Sequence, residues 1–97
     1  MKLAHQTAII TGSSSGIGRA IAVAFGKEGA NVIVNYNSSR AKALEVVKQI
    51  KAEGGDAIAL KANVGKEADV LKMFEKAIEA FGQVDILVAN SGIQDDA

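Results

Sequence analysis

Residues 11–18 read Thr-Gly-Ser-Ser-Ser-Gly-Ile-Gly, and this stretch decides the fold. It follows an apolar run at residues 7–10, and it opens a helical pattern of apolar residues that begins at Ile17. A strand, a glycine-rich turn and a helix in this order form the context in which such a turn binds a dinucleotide. The alternative is an ordinary strand-to-helix connection, because glycine and serine are common in turns of every kind.

Each glycine of this turn is expected to serve a different purpose. Gly12 lets the chain leave the strand in a tight turn, and Gly16 lets the main chain approach a pyrophosphate with no Cβ in the way. Gly18 lets the helix pack close to the strand. The free N–H groups of the first helical turn would then face the anion, at the positive end of the helix dipole.

Apolar runs and helical apolar stripes alternate along the rest of the chain. The runs predict strands at 6–10, 31–35, 57–62 and 85–89. The stripes predict helices at about 16–28, 39–53 and 66–81, each followed by glycine. This alternation predicts an α/β fold of Rossmann type, a parallel sheet with flanking helices and the strand order 3-2-1-4. Ligands would bind in the crevice between strands 1 and 4.

The apolar pattern also predicts which residues face the core. The strand runs are continuous rather than alternating, which is typical of strands covered on both faces. The apolar stripes of the second and third helices predict the following inward-facing residues: Ala43, Leu44, Val47 and Ile50, then Val70, Leu71, Phe74, Ala77, Ile78 and Phe81. Acidic Glu67 and Asp69 suit the start of the third helix.

Composition indicates one small domain, residues 1–97. Eleven basic and eleven acidic residues give a net charge of zero with no charged block, so non-specific nucleic-acid binding has no electrostatic basis. The absence of cysteine excludes disulfides and thiolate metal sites, and the lone His5 has no partner for a metal. No apolar run approaches the roughly 18 residues of a membrane span, and the start lacks a secretion signal. We therefore expect a cytoplasmic protein.

The turn has the spacing G-x-x-x-G-x-G, and with its preceding threonine and serine-rich insert it resembles that of the short-chain dehydrogenase/reductase family. Residues 31–36, Asn-Val-Ile-Val-Asn-Tyr, look like the family's second strand. Ala62-Asn63-Val64 stand where the family usually has Asp-Val, and residues 85–92 look like its fourth strand with the Asn-Asn-Ala-Gly motif. The similarity runs over about residues 6–94 and is greatest with the glucose 1-dehydrogenase branch.

The resemblance implies an oxidoreductase that passes hydride between an alcohol or sugar substrate, glucose-like in this branch, and NAD(P). Family members are considerably longer, so the chain looks like the amino-terminal cofactor-binding part of one, truncated after strand 4. The family's catalytic Ser and Tyr-x-x-x-Lys follow strand 4. The only tyrosine here, Tyr36, is followed at the fourth position by Arg40, but on the adenosine side. We therefore expect no catalytic residue and no turnover from these residues alone. A non-catalytic dinucleotide-binding module and a self-associating structural fragment are the alternatives.

The choice of cofactor depends on the end of the second strand. NAD-selective proteins place an acidic residue there to hold the ribose 2′-OH. In this chain the position aligns with Tyr36, and no Asp or Glu occurs between Asn31 and Lys42. An acidic residue would repel a 2′-phosphate. The guanidinium of Arg40 could instead bind the phosphate through two N–H groups. Arg40 is equally interpreted as a solvated residue at the start of a helix. Other possible phosphate donors are Asn35, Asn37, Ser38 and Ser39. NADP is the expected cofactor, with NAD as the second candidate.

The resemblance implies roles for further residues. Asn63 would accept a hydrogen bond from the adenine amino group, or else cap the third helix. Asn90 matches the second Asn of the Asn-Asn-Ala-Gly motif, with Ala89 and Ser91 replacing its neighbours, and Gly92 would let the main chain lie close to the nicotinamide-side ribose. The implied cofactor-binding residues are Gly12, Ser14, Ser15, Gly16, Ile17, Gly18, Tyr36, Asn37, Ser38, Arg40, Asn63, Val64, Asn90, Ser91 and Gly92.

The fourth strand also bears on assembly. With no fifth strand in the sequence, it would form a sheet edge with unpaired N–H and C=O groups beside Ile86, Leu87 and Val88. An apolar, uncharged edge of this kind is a template for pairing with another chain. We therefore expect a homo-oligomer, with no nucleic-acid or membrane partner.

Overall fold

Four strands and three helices alternate within residues 2–90, as the sequence predicts. The structure, a computed structural model, describes residues 2–90. The elements are β1 (Thr7–Ile10), α1 (Gly16–Lys27), β2 (Asn31–Tyr36), α2 (Arg40–Ala52), β3 (Asp56–Lys61), α3 (Glu67–Phe81) and β4 (Ile86–Val88). Each bound differs from the predicted one by no more than one residue. The predicted tail beyond residue 90 lies outside the described residues.

The strands form one parallel sheet in the order β3-β2-β1-β4, which confirms the Rossmann-type prediction. In the register, Ile9 lies beside Ile33 on one side and Leu87 on the other. The carboxyl ends of β1 and β4 therefore meet at the point where the strand order reverses. In open α/β sheets this point is where ligands bind.

Helices cover the two faces of the sheet unequally. α1 and α2 pack on the face that carries Ile10, Val32 and Val34. α3 alone covers the opposite face, where Met73 and Ala77 contact a cluster with Ile9 and Ile33. The apolar runs of β1 and β2 are fully buried, as continuous apolar strands should be.

β4 departs from that prediction. Leu87 is 52% exposed, and its neighbours Ile86 and Val88 are only half-buried. The register places Leu87 on the same face as Ile9, but the side chains packed against that face beneath α3 come from β1, β2 and β3. The expectation of burial on both faces is therefore wrong for β4, because this strand is the sheet edge among residues 2–90.

Two predicted helix stripes are also partly wrong. On α2 the buried residues are Ala43, Val46 and Ile50, whereas Leu44 is exposed. On α3 the fully buried residues are Met73 and Ala77, and the predicted Leu71 and Ile78 are exposed. Both helices are apolar over a wider arc than the sheet can cover. The apolar pattern alone therefore does not determine which residues of each helix face the sheet.

The end of α3 follows the prediction. Gly82 has φ +87°, a conformation that favours glycine, and its N–H donates to the carbonyl of Ile78 at 2.7 Å. No helix in the described part of the chain has the length and apolar character needed to cross a bilayer.

Candidate functional site

The glycine-rich turn lies between β1 and α1, at the carboxyl end of the sheet. Gly12 and Gly16 both have φ +61°, in the left-handed region that L side chains rarely adopt. A Cβ added at Gly16 would meet no atom of residues 2–90 within 4 Å, so this part of the chain leaves the turn open on that side. The space above Gly16 is thus free for a ligand to contact the main chain.

The first serine of the turn is structural. Ser13 is fully buried, and its hydroxyl donates to the carbonyl of Ile10 at 2.7 Å. The same oxygen accepts the N–H of Asn35 at 3.1 Å, and the N–H of Ser13 donates to the carbonyl of Asn35 at 3.0 Å. Ser13 therefore fastens the turn to β2. Ser14 is half-buried and Ser15 is exposed, so these two predicted site residues lie on the outer side of the turn.

The start of α1 presents free N–H groups. Ser15 is the N-cap but forms no capping hydrogen bond through its side chain, and the first helical bond runs from the N–H of Arg19 to the carbonyl of Ser15 at 3.2 Å. Within residues 2–90, the N–H groups of Gly16 and Ile17 have no acceptor. Ile17 is 72% exposed, and no acidic residue occupies the first turn. Unpaired donors at a helix start without a carboxylate are suited to bind an anion.

Gly18 permits a close approach of the start of α1 to the main chain of the turn. It is buried, and a Cβ there would collide with the carbonyl oxygen of Gly12 and lie 2.7 Å from Nδ2 of Asn90. The start of α1 is therefore packed closely against the glycine turn and the end of β4.

Asn90 joins the end of β4 to the turn. Its N–H donates to Oγ1 of Thr11 at 2.8 Å, and its side-chain Nδ2 donates to the carbonyl of Gly12 at 3.2 Å. The N–H of Thr11 donates in turn to the carbonyl of Val88 at 3.0 Å. Asn90 is buried within this network. Its predicted companions in the motif, Ser91 and Gly92, lie outside the described residues.

Asn35 is not a phosphate donor, and that expectation is wrong. The residue is buried, its Oδ1 accepts the N–H of Gly12 at 2.9 Å, and its Nδ2 donates to the carbonyls of Ala62 at 3.2 Å and Leu60 at 3.4 Å. The signal for this role was in the sequence. An Asn within a buried apolar strand must satisfy its amide internally.

The residues that follow β2 are more open. Tyr36 is buried among the apolar side chains of the α1–α2 face. Asn37, Ser38 and Arg40 are exposed, with Arg40 as the first residue of α2. Ser39 is the N-cap of α2 and forms no capping bond through its side chain. The exposed residues are thus accessible to a ligand, and their part in binding stays a prediction.

Asn63 organises the loop before α3. Its Oδ1 accepts the N–H of Gly65 at 2.9 Å, and its own N–H donates to Oδ2 of Asp69 at 2.9 Å. The N-cap of α3 is Lys66, so the alternative role of Asn63 as a helix cap is wrong. Its side-chain Oδ1 retains a second lone pair, and a hydrogen bond from an adenine amino group to this oxygen stays a prediction. Val64 beside it is partly exposed.

No metal site can be assigned within residues 2–90. No group of three or more His, Asp or Glu side chains in this part of the chain could hold a metal ion. The arrangement is suited to binding a dinucleotide. It offers an open turn with free N–H groups, exposed donors after β2 and an amide-lined loop after β3.

Comparison with known proteins shows the family of the chain. Residues 6–97 match the family model described as short chain dehydrogenase. Versicolorin reductase 1 of Dothistroma septosporum is 50% identical over 92 residues, which are 95% of this chain and 35% of the relative. Tetrahydroxynaphthalene reductase of Pyricularia oryzae is 47% identical over 91 residues, 94% of this chain and 32% of that protein. The chain thus spans about a third of the length of these curated relatives.

Solved structures share the fold. A dehydrogenase/reductase from Sinorhizobium meliloti superposes with a TM-score of 0.89 at 38% identity, over 92% of this chain and 35% of that structure. A reductase that catalyses keto-reduction at C1 during lugdunomycin biosynthesis has a TM-score of 0.87 at 41% identity, covering 99% of this chain and 40% of that one.

Proposed function

The chain belongs to the short-chain dehydrogenase family, and we propose that it forms the dinucleotide-binding part of a longer NAD(P)-dependent oxidoreductase. The observation that carries the proposal is the open glycine turn, where the N–H groups of Gly16 and Ile17 have no acceptor within residues 2–90. Such a helix start holds a pyrophosphate through main-chain donors and the helix dipole.

The preferred cofactor in this proposal is NADP. Tyr36 stands where an NAD-selective protein has an acid, and it is buried, so no carboxylate at the end of β2 repels a 2′-phosphate. Asn37, Ser38 and Arg40 are exposed beside it. Arg40 would hold the phosphate as a forked and permanently charged partner. NAD binds in the same way without this contact.

The reaction of the longer protein would be hydride transfer between the nicotinamide and an alcohol or carbonyl substrate. The cofactor supplies the hydride chemistry, and this chain's residues bind and orient it. Relatives whose names give a substrate are reductases of versicolorin and tetrahydroxynaphthalene, which favours carbonyl reduction. A sugar such as glucose, expected from the resemblance, finds no support in these names and is kept as the comparison substrate in the assay.

Titration of the 97-residue chain with NADPH, NADH, NADP+ and NAD+ tests the binding proposal. We expect saturable binding of all four, tighter for the phosphorylated pair. Gly16→Val is the comparison variant, because a Cβ at this position meets no atom of residues 2–90 within 4 Å and would stand above the turn, although the positive φ of residue 16 also strains the variant. Equal, unsaturable signals from both proteins would contradict dinucleotide binding and favour a structural fragment.

The same chain should show no turnover with glucose and NADP+, or with an aromatic ketone and NADPH. Its only tyrosine is Tyr36, which is buried among the apolar side chains of the α1–α2 face, so within residues 2–90 no tyrosine is exposed to exchange the substrate proton. Steady oxidation or reduction above a buffer control would contradict this part of the proposal.

A further inference from the structure

The side chain of Asn35 spans the two ends of the proposed dinucleotide site. It lies at the end of β2, the strand between β1 and β3. On one side its Oδ1 accepts the N–H of Gly12 at 2.9 Å, and on the other its Nδ2 donates to the carbonyl of Ala62 at 3.2 Å. Gly12 begins the turn over which the pyrophosphate would lie, and Ala62 directly precedes Asn63 and Val64, the predicted adenine side.

The main chain of Asn35 also bonds to the glycine turn. Its N–H donates to the hydroxyl of Ser13 at 3.1 Å, and its carbonyl accepts the N–H of Ser13 at 3.0 Å. Every polar atom of Asn35 thus bonds to the turn or to the end region of β2 and β3. Its Nδ2 also reaches the carbonyls of Leu60 at 3.4 Å and Tyr36 at 3.5 Å. The residue is 2% exposed, so water does not compete for these bonds.

These bonds decide which N–H groups of the turn face a ligand. The N–H of Gly12 points inward to Asn35, whereas those of Gly16 and Ile17 have no acceptor among the described residues. We propose that Asn35 is a positioning residue that ties the glycine turn to the segment 62–64, so that the two halves of the dinucleotide site keep one fixed separation. This inference rests on the proposed function, since the site it organises is the dinucleotide site.

The chain offers a matched control on the same strand. Asn31 lies at the opposite end of β2, and residues 31 and 35 point to the same sheet face. Its Nδ2 forms one long bond, 3.4 Å to Oγ1 of Thr7, far from the turn. Asn31→Leu therefore removes the same side-chain chemistry without touching the site.

Hydrogen-exchange NMR of the 97-residue chain can test the two side-chain hydrogen bonds of Asn35 through the exchange rates of two amides. One is the N–H of Gly12, and the other is the N–H of Asn63, which shares a peptide unit with the carbonyl of Ala62 and donates to Asp69 at 2.9 Å. Asn35→Leu should speed exchange of both by about tenfold, the effect of losing one buried hydrogen bond. Asn35→Asp keeps an acceptor for Gly12 but turns a second carboxylate oxygen towards the carbonyls of Ala62 and Leu60, so the Asn63 amide should accelerate more than the Gly12 amide. Asn31→Leu should change neither.

Binding provides the second readout. Asn35→Leu should weaken NADP+ by about tenfold or more, and Asn31→Leu by less than about twofold, because only the first loosens the site. A folded Asn35→Leu protein that binds NADP+ as the unmodified chain does would overturn the inference, as would an equal loss in Asn31→Leu. If Asn35→Leu does not fold, the Asp variant and the unmodified chain decide, since fast exchange of the Gly12 amide in the unmodified chain also overturns it. If the Gly12 amide of the unmodified chain exchanges slowly but the chain binds no dinucleotide, the proposed function is contradicted instead.

Discussion

The side-chain amide of Asn90 donates a hydrogen bond to the main-chain carbonyl of Gly12, 78 residues earlier in the chain, at 3.2 Å. Gly18 closes the same space from the helix side, because only a hydrogen fits between its Cα and these two groups. The glycine turn is therefore held from β2 by Asn35 and from β4 by Asn90. Its conformation depends on contacts that are distant in sequence.

Gly18→Ala should destabilise the protein more than Gly16→Ala. The new methyl group would collide with the Gly12 carbonyl and displace Asn90, and overpacking against main chain costs about 3 kcal/mol. A better helix propensity returns only about 1 kcal/mol. The methyl group of Gly16→Ala meets no atom of residues 2–90 within 4 Å, so this variant should cost about 1–2 kcal/mol through its positive φ. Urea unfolding of both variants measures the difference. The reverse order would mean that the turn yields at Gly18.

Much of this fold could be read from the sequence, for a physical reason. Parallel strands covered by crossover helices must be apolar throughout, and this leaves continuous runs such as Val32-Ile33-Val34 between helical stripes. Glycines required by positive φ mark the turn at Gly12 and the helix end at Gly82. Both signals are local, so residue types alone reveal them, and the element bounds followed within one residue.

The burial of individual helix residues and the roles of buried polar side chains could not be predicted, because they depend on contacts with residues distant in sequence. Leu71 and Met73 are both apolar residues of α3, and only the position of the sheet decides that Met73 is buried and Leu71 is not. Asn35 was among the residues near the end of β2 expected to donate to a phosphate, yet its amide is satisfied by Gly12 and Ala62. The polar residues of the turn divide in the same way, with Ser13 structural and Ser15 exposed.

Ser13→Ala should lower the free energy of unfolding by about 1–3 kcal/mol, since it leaves the buried carbonyl of Ile10 and N–H of Asn35 without their shared partner. Ser15→Ala should change it by no more than about 0.5 kcal/mol, because Ser15 is exposed and forms no capping bond. Denaturation of both variants compares a hydroxyl that holds the turn with one that does not. Similar losses in the two would show that the hydroxyl of Ser13 is not what fastens the turn to β2.

Gly16→Val and Arg40→Ala should separate the two parts of the cofactor site. A Val side chain at Gly16 blocks the main chain that faces the pyrophosphate, so NAD+ and NADP+ should both lose affinity. Arg40→Ala should weaken NADP+ by about tenfold and leave NAD+ nearly unchanged, because one charge-assisted contact to the 2′-phosphate is lost. Calorimetric titration measures all four affinities.

Arg40→Lys is the control for the second effect. It keeps the positive charge but loses the planar fork, so its NADP+ affinity should fall between that of the unmodified chain and that of Arg40→Ala. The contrary result is that Arg40→Ala weakens the binding of NAD+ as much as that of NADP+, and by more than Gly16→Val does. In that case the main-chain N–H groups of the glycine turn are not the principal anion site.

Leu87→Lys should reduce self-association of the 97-residue chain. Within residues 2–90, β4 pairs only with β1, so its outer N–H and C=O groups are free to bond a strand of another chain. Leu87 is 52% exposed on the sheet face that α3 covers only in part, and α3 itself exposes Leu71 and Ile78. An apolar edge of this kind favours association, and a lysine on it opposes close approach of a second copy. Light scattering over a range of concentrations should show dimers or larger species that Leu87→Lys shifts towards monomer.

Leu44→Lys separates edge pairing from a general gain in solubility. Leu44 is 45% exposed on α2, on the opposite side of the sheet from Leu87, and the substitution adds the same charge. If association runs through β4, Leu44→Lys should leave the measured mass unchanged while Leu87→Lys lowers it. Equal effects of the two would point to charge alone, because only Leu87 adjoins unpaired strand groups. A monomer at every concentration, indifferent to both changes, would mean that the β4 edge is protected within the chain itself.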